Sequence, residues 1–272
     1  MAAEPALEVI GLEVAFPRRD GALRRVVNDV SFVVGEGERV GLVGESGCGK
    51  SLTALAVLGL VPEPGSVRVR RVTVAGRDAT EIPDLRGGEV GLVLQEAGSA
   101  LNPVYSIGFQ LVETLQAHAI ARGREARRAA LALLEEVAID EPGLVFAAYP
   151  HQLSGGQAQR VMLALALAGK PRVLIADEPT TALDVLTQAR VLALMARITD
   201  QRRLGLLLVS HDLGLLAGLV HRMLVMDHGA IVEEGPVDRV FAAPEHPATR
   251  RLVEAAGHRL EGVVPRTTGS PA

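Results

Sequence analysis

The sequence predicts an α/β fold, and three observations predict it. Several short apolar runs each end in polar or acidic residues, as Val173–Ala176 does before Asp177 and Glu178, and Leu204–Val209 before Ser210 and His211. Buried strands of a parallel sheet read this way, with ligand-binding groups gathered at their carboxyl ends. A glycine-rich loop separates a strand-like run from a helical one at Arg39–Gly59, RVGLVGESGCGKSLTALAVLG. Between Gly98 and Pro150 the strand signals vanish and helical periodicity replaces them, which places a helical segment inside the α/β frame.

The totals fit that class. A chain of 272 residues, 48% hydrophobic and 22% charged, can bury a sizeable core. A net charge of −4 argues against a nucleic-acid binder working by bulk charge. The single cysteine excludes an internal disulfide and any cysteine-ligated cluster. No apolar run reaches the roughly 18 residues that a membrane helix needs. The N-terminus MAAEPALEV has no signal-peptide layout, so a cytosolic protein is expected.

In chain order, Leu7–Phe16 and Arg24–Val34 read as strands joined by a turn at Arg19–Gly21. Phe16 is either a strand-end core residue or a face for an adenine ring, and the pattern leaves both open. The loop that follows contains G-x-x-x-x-G-K-[ST] in full, as Gly44, Gly49, Lys50 and Ser51. Gly44, Gly47 and Gly49 let backbone N–H groups wrap a phosphate. Lys50 supplies a cation for its oxygens, and Ser51 a hydroxyl for Mg²⁺. Of 28 basic residues only two are lysine, and one is Lys50; a compact ammonium fits a crowded phosphate cradle better than a guanidinium fork. Cys48 lies in the same loop and reads either as a small residue that fits the turn or, beside a helix N-terminus and Lys50, as a thiol of lowered pKa and raised reactivity.

Ser51–Leu60 reads as a helix stopped by Pro62 and Pro64, followed by strands at Val67–Ala75 and Val90–Leu94. Gln95, at the end of the second, is a candidate to touch Mg²⁺ or an attacking water. Helices are expected at Gly108–Ala121 and Glu125–Ala138, and a third at Gln157–Ala168. Leu153–Gln157, LSGGQ, opens that third helix either as a second anion site or simply as a good helix entry. Asp177 would hold Mg²⁺, Glu178 would polarise a water for attack on a γ-phosphate, and His211 is a candidate γ-phosphate contact. A strand pair around Gly229, a helix at Pro247–Ala256 and a frayed tail from Gly257 complete the reading.

Taken in order, these motifs resemble the ATP-binding-cassette ATPases. They are GESGCGKS at Gly44–Ser51, Gln95, LSGGQ, VLIADEP at Val173–Pro179, the ALD turn at Ala182–Asp184, and His211. The resemblance implies a P-loop NTPase-type nucleotide-binding domain over residues 7–257. An antiparallel β subdomain and a helical subdomain inserted at about 98–168 belong to it, and 258–272 is expected as a disordered tail. ATP and Mg²⁺ are the implied ligands. Phe16, Glu45, Ser46, Gly47, Cys48, Gly49, Leu52 and the rest of the loop would bind nucleotide. The signature residues Ser154, Gly155, Gly156 and Gln157 would bind the nucleotide of a second, head-to-tail cassette, and Asp184 of the ALD turn would also bind nucleotide.

Phrases such as SALNPVYSIGFQLVETL, YPHQLSGGQAQRVMLALAL and PEHPATRRLVEAA are similar to the ATPase subunits of oligopeptide, dipeptide and nickel importers. That likeness implies permease subunits, a second ATPase subunit and indirectly a substrate-binding protein as partners. It also implies a peripheral place on the cytoplasmic face of the cell membrane. An exporter ATPase and a non-transport ABC ATPase stay open as alternatives. The chain departs from the group at Ala97, where proline is usual, and at Ala158. With one cysteine it has no ligand set for the iron–sulfur cluster that many members carry.

Overall fold

The computed structural model describes residues 4–181 and 183–261. The chain opens with strands β1 (Leu7–Pro17) and β2 (Leu23–Val34), then β3 (Arg39–Val43) and helix α1 (Lys50–Val57). Short strands β4 (Ser66–Arg68), β5 (Arg71–Val74) and β6 (Arg77–Asp78) lead to β7 (Val90–Val93). Helices α2 (Ala97–Ala100), α3 (Ile107–Ala117), α4 (Gly123–Glu136), α5 (Pro142–Ala147) and α6 (Gly155–Ala168) follow without an intervening strand. Then come β8 (Val173–Asp177), α7 (Val185–Arg202), β9 (Gly205–Ser210), α8 (Leu213–Leu216), β10 (Arg222–Asp227) and β11 (Ala230–Pro236). Helices α9 (Val237–Ala242) and α10 (Pro247–Glu261) close the fold.

Two sheets result. The first runs β2-β1-β5-β6, with β4 also on β1, and its pairings are antiparallel. The second runs β11-β10-β3-β9-β8-β7 and is parallel except at its β11 edge. Alternation along its central strands sorts side chains into two cores. Leu206 and Leu208 of β9 and Leu174 and Ala176 of β8 face the helical side, with Leu111, Leu134 and Leu163. Leu207, Val209, Val173 and Ile175 face α1 and the antiparallel sheet. Both faces are therefore covered, which is why these strands read as unbroken apolar runs. The carboxyl ends of β3, β7, β8 and β9 lie on one edge, so the loops after them share that edge.

Several elements differ from the sequence reading. The single strand expected over Val67–Ala75 is two, β4 and β5, each pairing a different stretch of the bulged β1. Helix α1 ends at Val57 rather than Leu60, and Arg86 donates to the carbonyls of Leu58 and Gly59 just beyond it. Five helices were not foreseen: the short α2, α8 and α9, and the longer α5 and α7. Helix α5 begins at Pro142, and the 18-residue α7 presents a buried stripe of Val191, Leu192, Met195 and Ile198. That stripe follows helical spacing, but polar residues crowd the rest of the segment and dilute it. Helix α10 continues to Glu261, past the expected fraying point at Gly257; residues 262–272 of the expected tail lie outside the described residues. No helix among the described residues is long and apolar enough to cross a membrane.

Candidate functional site

The loop between β3 and α1 is held in shape by glycines with no substitute. A Cβ on Gly44 would sit 2.3 Å from the Met226 carbonyl oxygen and 2.7 Å from Cys48 Sγ. Gly49 has φ +114°, a conformation that side chains rarely adopt, and a Cβ there would lie 2.8 Å from the Val26 carbonyl oxygen. Lys50 is 4% exposed, and its Nζ donates to the carbonyls of Gly44 at 2.9 Å and Glu45 at 3.0 Å. The ammonium thus crosses the loop from inside and pins its first turn. Glu45, whose side chain pairs with Arg251 of α10, and Ser46 and Gly47 stand on the outer rim. Leu52 packs into the core beneath.

Ser51 Oγ donates to Asp177 Oδ1 at 2.9 Å, joining the start of α1 to the end of β8. Asp177 is 7% exposed. Burial pushes its carboxyl above the usual carboxylate range and the neighbouring Glu178 charge adds to that, against the Ser51 hydrogen bond and Lys50. A hydroxyl and a carboxyl group form a hard oxygen donor pair, which suits Mg²⁺.

Glu178 follows Asp177 with φ +43°, and its N–H donates to the Val209 carbonyl at 3.0 Å. Non-glycine residues hold this conformation only where the surroundings impose it. Its Oε1 is 3.0 Å from His211 Nδ1, and its Oε2 accepts from Thr181 Oγ1 at 3.1 Å. An ionised carboxylate only accepts, so Nδ1 carries the proton in this contact. Gln95 is exposed just past β7, on the same sheet edge.

The LSGGQ residues stand in a different place. Ser154 is the N-cap of α6: its Oγ accepts from Gln157 N at 3.3 Å, and Gln157 Oε1 accepts from Ser154 N at 3.0 Å. Asp184 caps α7 in the same way, accepting from Thr187 N at 3.0 Å. The Thr187 hydrogen bonds hold its carboxyl below the ordinary value. Ser154, Gly155, Gly156 and Asp184 line one cleft of about 540 Å³ with Arg160 and Arg190. None of the phosphate-loop residues lines it. Ala182, first of the ALD turn, lies outside the described residues.

One sequence expectation needs correction. Cys48 is 8% exposed, and burial pushes its thiol pKa up, overriding the pull of Lys50. Helix position and a nearby cation were visible in the sequence; the desolvation that outweighs them was not. Phe16, left open between core and adenine contact, is half-buried at the end of β1 and rests against the core, with its ring beside Gly65, where a Cβ would lie 2.8 Å from it. The cleft beside the phosphate loop, about 600 Å³, is lined by Arg18, Leu23, Arg24 and Arg25, with Asp227 and His228. Leu23 is 61% exposed. Sequence reading missed this wall, because a turn rich in arginine reads as an ordinary solvated loop.

The ABC transporter family profile matches residues 27–181, from β2 through the turn after β8. A putative peptide import ATP-binding protein of Brucella abortus is 44% identical over 92% of this chain and 77% of its own length. The dipeptide transport ATP-binding protein DppD of Escherichia coli is 42% identical over 85% of this chain and 72% of its own. Among solved structures, the ATP-binding cassette MJ0796, as a post-hydrolysis dimer bound to ADP and Pi, superposes with a TM-score of 0.71. It is 25% identical, over 85% of this chain and 98% of that one. With a phosphate loop, a paired acid and histidine and an LSGGQ helix entry on one cassette fold, the chain belongs to the ABC transporter family and is one of its ATP-hydrolysing subunits.

Proposed function

We propose that this chain is the ATPase subunit of an importer for peptides or a related small solute, seated on the cytoplasmic face of a membrane permease. The observation that carries the mechanism is the separation of its two anion-binding helix entries. The loop at Gly44–Ser51 and the entry at Ser154–Gln157 line different clefts, so a complete site takes one from each of two chains. The importer reading rests on relatives named for peptide and dipeptide import. A nickel complex, which the sequence resemblance also implies, is a narrower alternative of the same kind.

In this reading the loop amides and Lys50 hold the β- and γ-phosphates of ATP. Ser51, Asp177 and Gln95 would hold Mg²⁺, which when bound neutralises phosphate charge and draws electrons from the γ-phosphorus. Glu178 takes the proton of the attacking water as its oxygen bonds to the γ-phosphorus and the bond to the ADP oxygen breaks. His211, beside Glu178, contacts the γ-phosphate and senses its loss. Ser154 and the amides of Gly155 and Gly156 close over the nucleotide of the partner cassette. Asp184 caps the helix that faces that contact.

The test is reconstitution. Co-expressed with a multi-spanning permease and placed in liposomes, the complex should hydrolyse ATP faster when a peptide-loaded binding protein is added. Turnover indifferent to binding proteins loaded with peptide or nickel would overturn the importer reading and favour export.

A further inference from the structure

We propose that Thr181 is the positioning residue for Glu178, the hydroxyl that keeps its carboxylate aimed when His211 turns to the nucleotide. The inference rests on the reading of Glu178 as the base. Thr181 Oγ1 lies 3.1 Å from Glu178 Oε2 and 3.3 Å from the Glu178 carbonyl oxygen. The carbonyl already accepts the Thr181 amide at 3.4 Å. A hydroxyl has one proton to give, and the shorter contact, to the charged oxygen, is the stronger.

The carboxylate is thereby held at two points from two elements. Thr181 holds Oε2 from the turn after β8, and His211 holds Oε1 from the end of β9. One contact alone leaves the group free to rotate about its last torsion, which is broad for a glutamate. The backbone is already fixed at φ +43° and tied to Val209, so the side chain is what remains to be oriented. In the proposed cycle His211 is the partner that leaves, because it must meet the γ-phosphate. Thr181 is three residues from the base and stays. A base that loses its aim by a fraction of an ångström loses rate and not affinity.

Thr181→Val keeps the volume and removes the hydroxyl, and Thr181→Ser keeps the hydroxyl. The first should lower kcat about tenfold with KM for ATP unchanged, and the second should restore most of it. Glu178→Gln should bind ATP, lose turnover and accumulate the closed dimer. Adding Thr181→Val to Glu178→Gln should change neither its residual single-turnover rate nor its closed-dimer population, since the hydroxyl acts through the carboxylate. A rise in KM, or a loss of closed dimer in the double variant, would place Thr181 at the nucleotide or the interface and overturn the proposal. So would a Thr181→Val enzyme with full kcat while Glu178→Gln is inactive. Normal hydrolysis by Glu178→Gln would instead remove the base reading itself, and with it the premise.

Discussion

The starts of α1 and α6 are both helix entries rich in glycine, yet they are finished in opposite ways. Helix α1 begins at Gly49, which has φ +114° and no side chain to cap the first N–H groups. Helix α6 begins at Ser154 with a complete capping box, so serine and Gln157 satisfy one another. The first turn of any helix leaves N–H groups without intrahelical partners. At α1 those groups stay available and Lys50 is already folded beneath them, so the entry is built to receive a phosphate. At α6 the cap satisfies one of the same groups internally, and an incoming phosphate must compete with it. One half of the proposed site is thus prepared in the lone chain. The other is latent until a partner supplies the nucleotide.

Lys50→Ala should break the prepared half, and with the largest effect. It removes the cation and both hydrogen bonds that pin the loop to itself. Charge-assisted bonds of this kind contribute about 1.5–3 kcal/mol each, so nucleotide affinity of the isolated chain should fall by about 100-fold, read by titration with a fluorescent ATP analogue. Unchanged affinity would mean that the loop amides alone hold the phosphates.

Ser154→Ala addresses the latent half. Affinity of the isolated chain for ATP should stay as in the wild type, while turnover of the paired cassettes falls about tenfold. Losing the cap costs about 1 kcal/mol of stability, which by itself confuses the result. Ser154→Asp separates the two effects, because aspartate caps as well as serine but sets a negative charge against the phosphate. It should melt with the wild type and still be slow. If Ser154→Asp is fully active, the serine serves α6 and not the partner's nucleotide.

This asymmetry explains how much could be read in advance. The phosphate loop declares itself in the sequence because Gly44, Gly49, Lys50 and Ser51 stand together in one short stretch of chain. The apolar runs of β8 and β9 likewise announce buried parallel strands, and with them the edge where Asp177, Glu178 and His211 meet. The Glu178–His211 contact depends on where two strand ends fall in space, and the Glu178–Thr181 contact on how one turn folds; spacing alone gives neither. Helix α7 stayed hidden because its buried stripe is narrow. The arginine-lined wall beside the loop stayed hidden because it is a turn brought to the loop by the antiparallel sheet. Cys48 misled for the same reason: local charge is legible from neighbours in sequence, whereas burial is decided by Gly44 and the chain around it.

Cys48 offers the smallest and sharpest test of how finished the prepared half is. Its sulfur sits close to Gly44, where a Cβ would lie 2.7 Å from it. Cys48→Ala removes that packing without touching an amide. It should cost about 1 kcal/mol of stability by leaving a small void, and shift ATP affinity by less than about twofold. In the native protein iodoacetamide should react slowly at neutral pH, with or without nucleotide. Its rate should climb only in alkaline solution, because burial holds the thiol protonated above the ordinary range. Rapid labelling at pH 7 that MgATP blocks would mean that the thiol faces the nucleotide, and that the loop is less closed around its lysine than its hydrogen bonds imply.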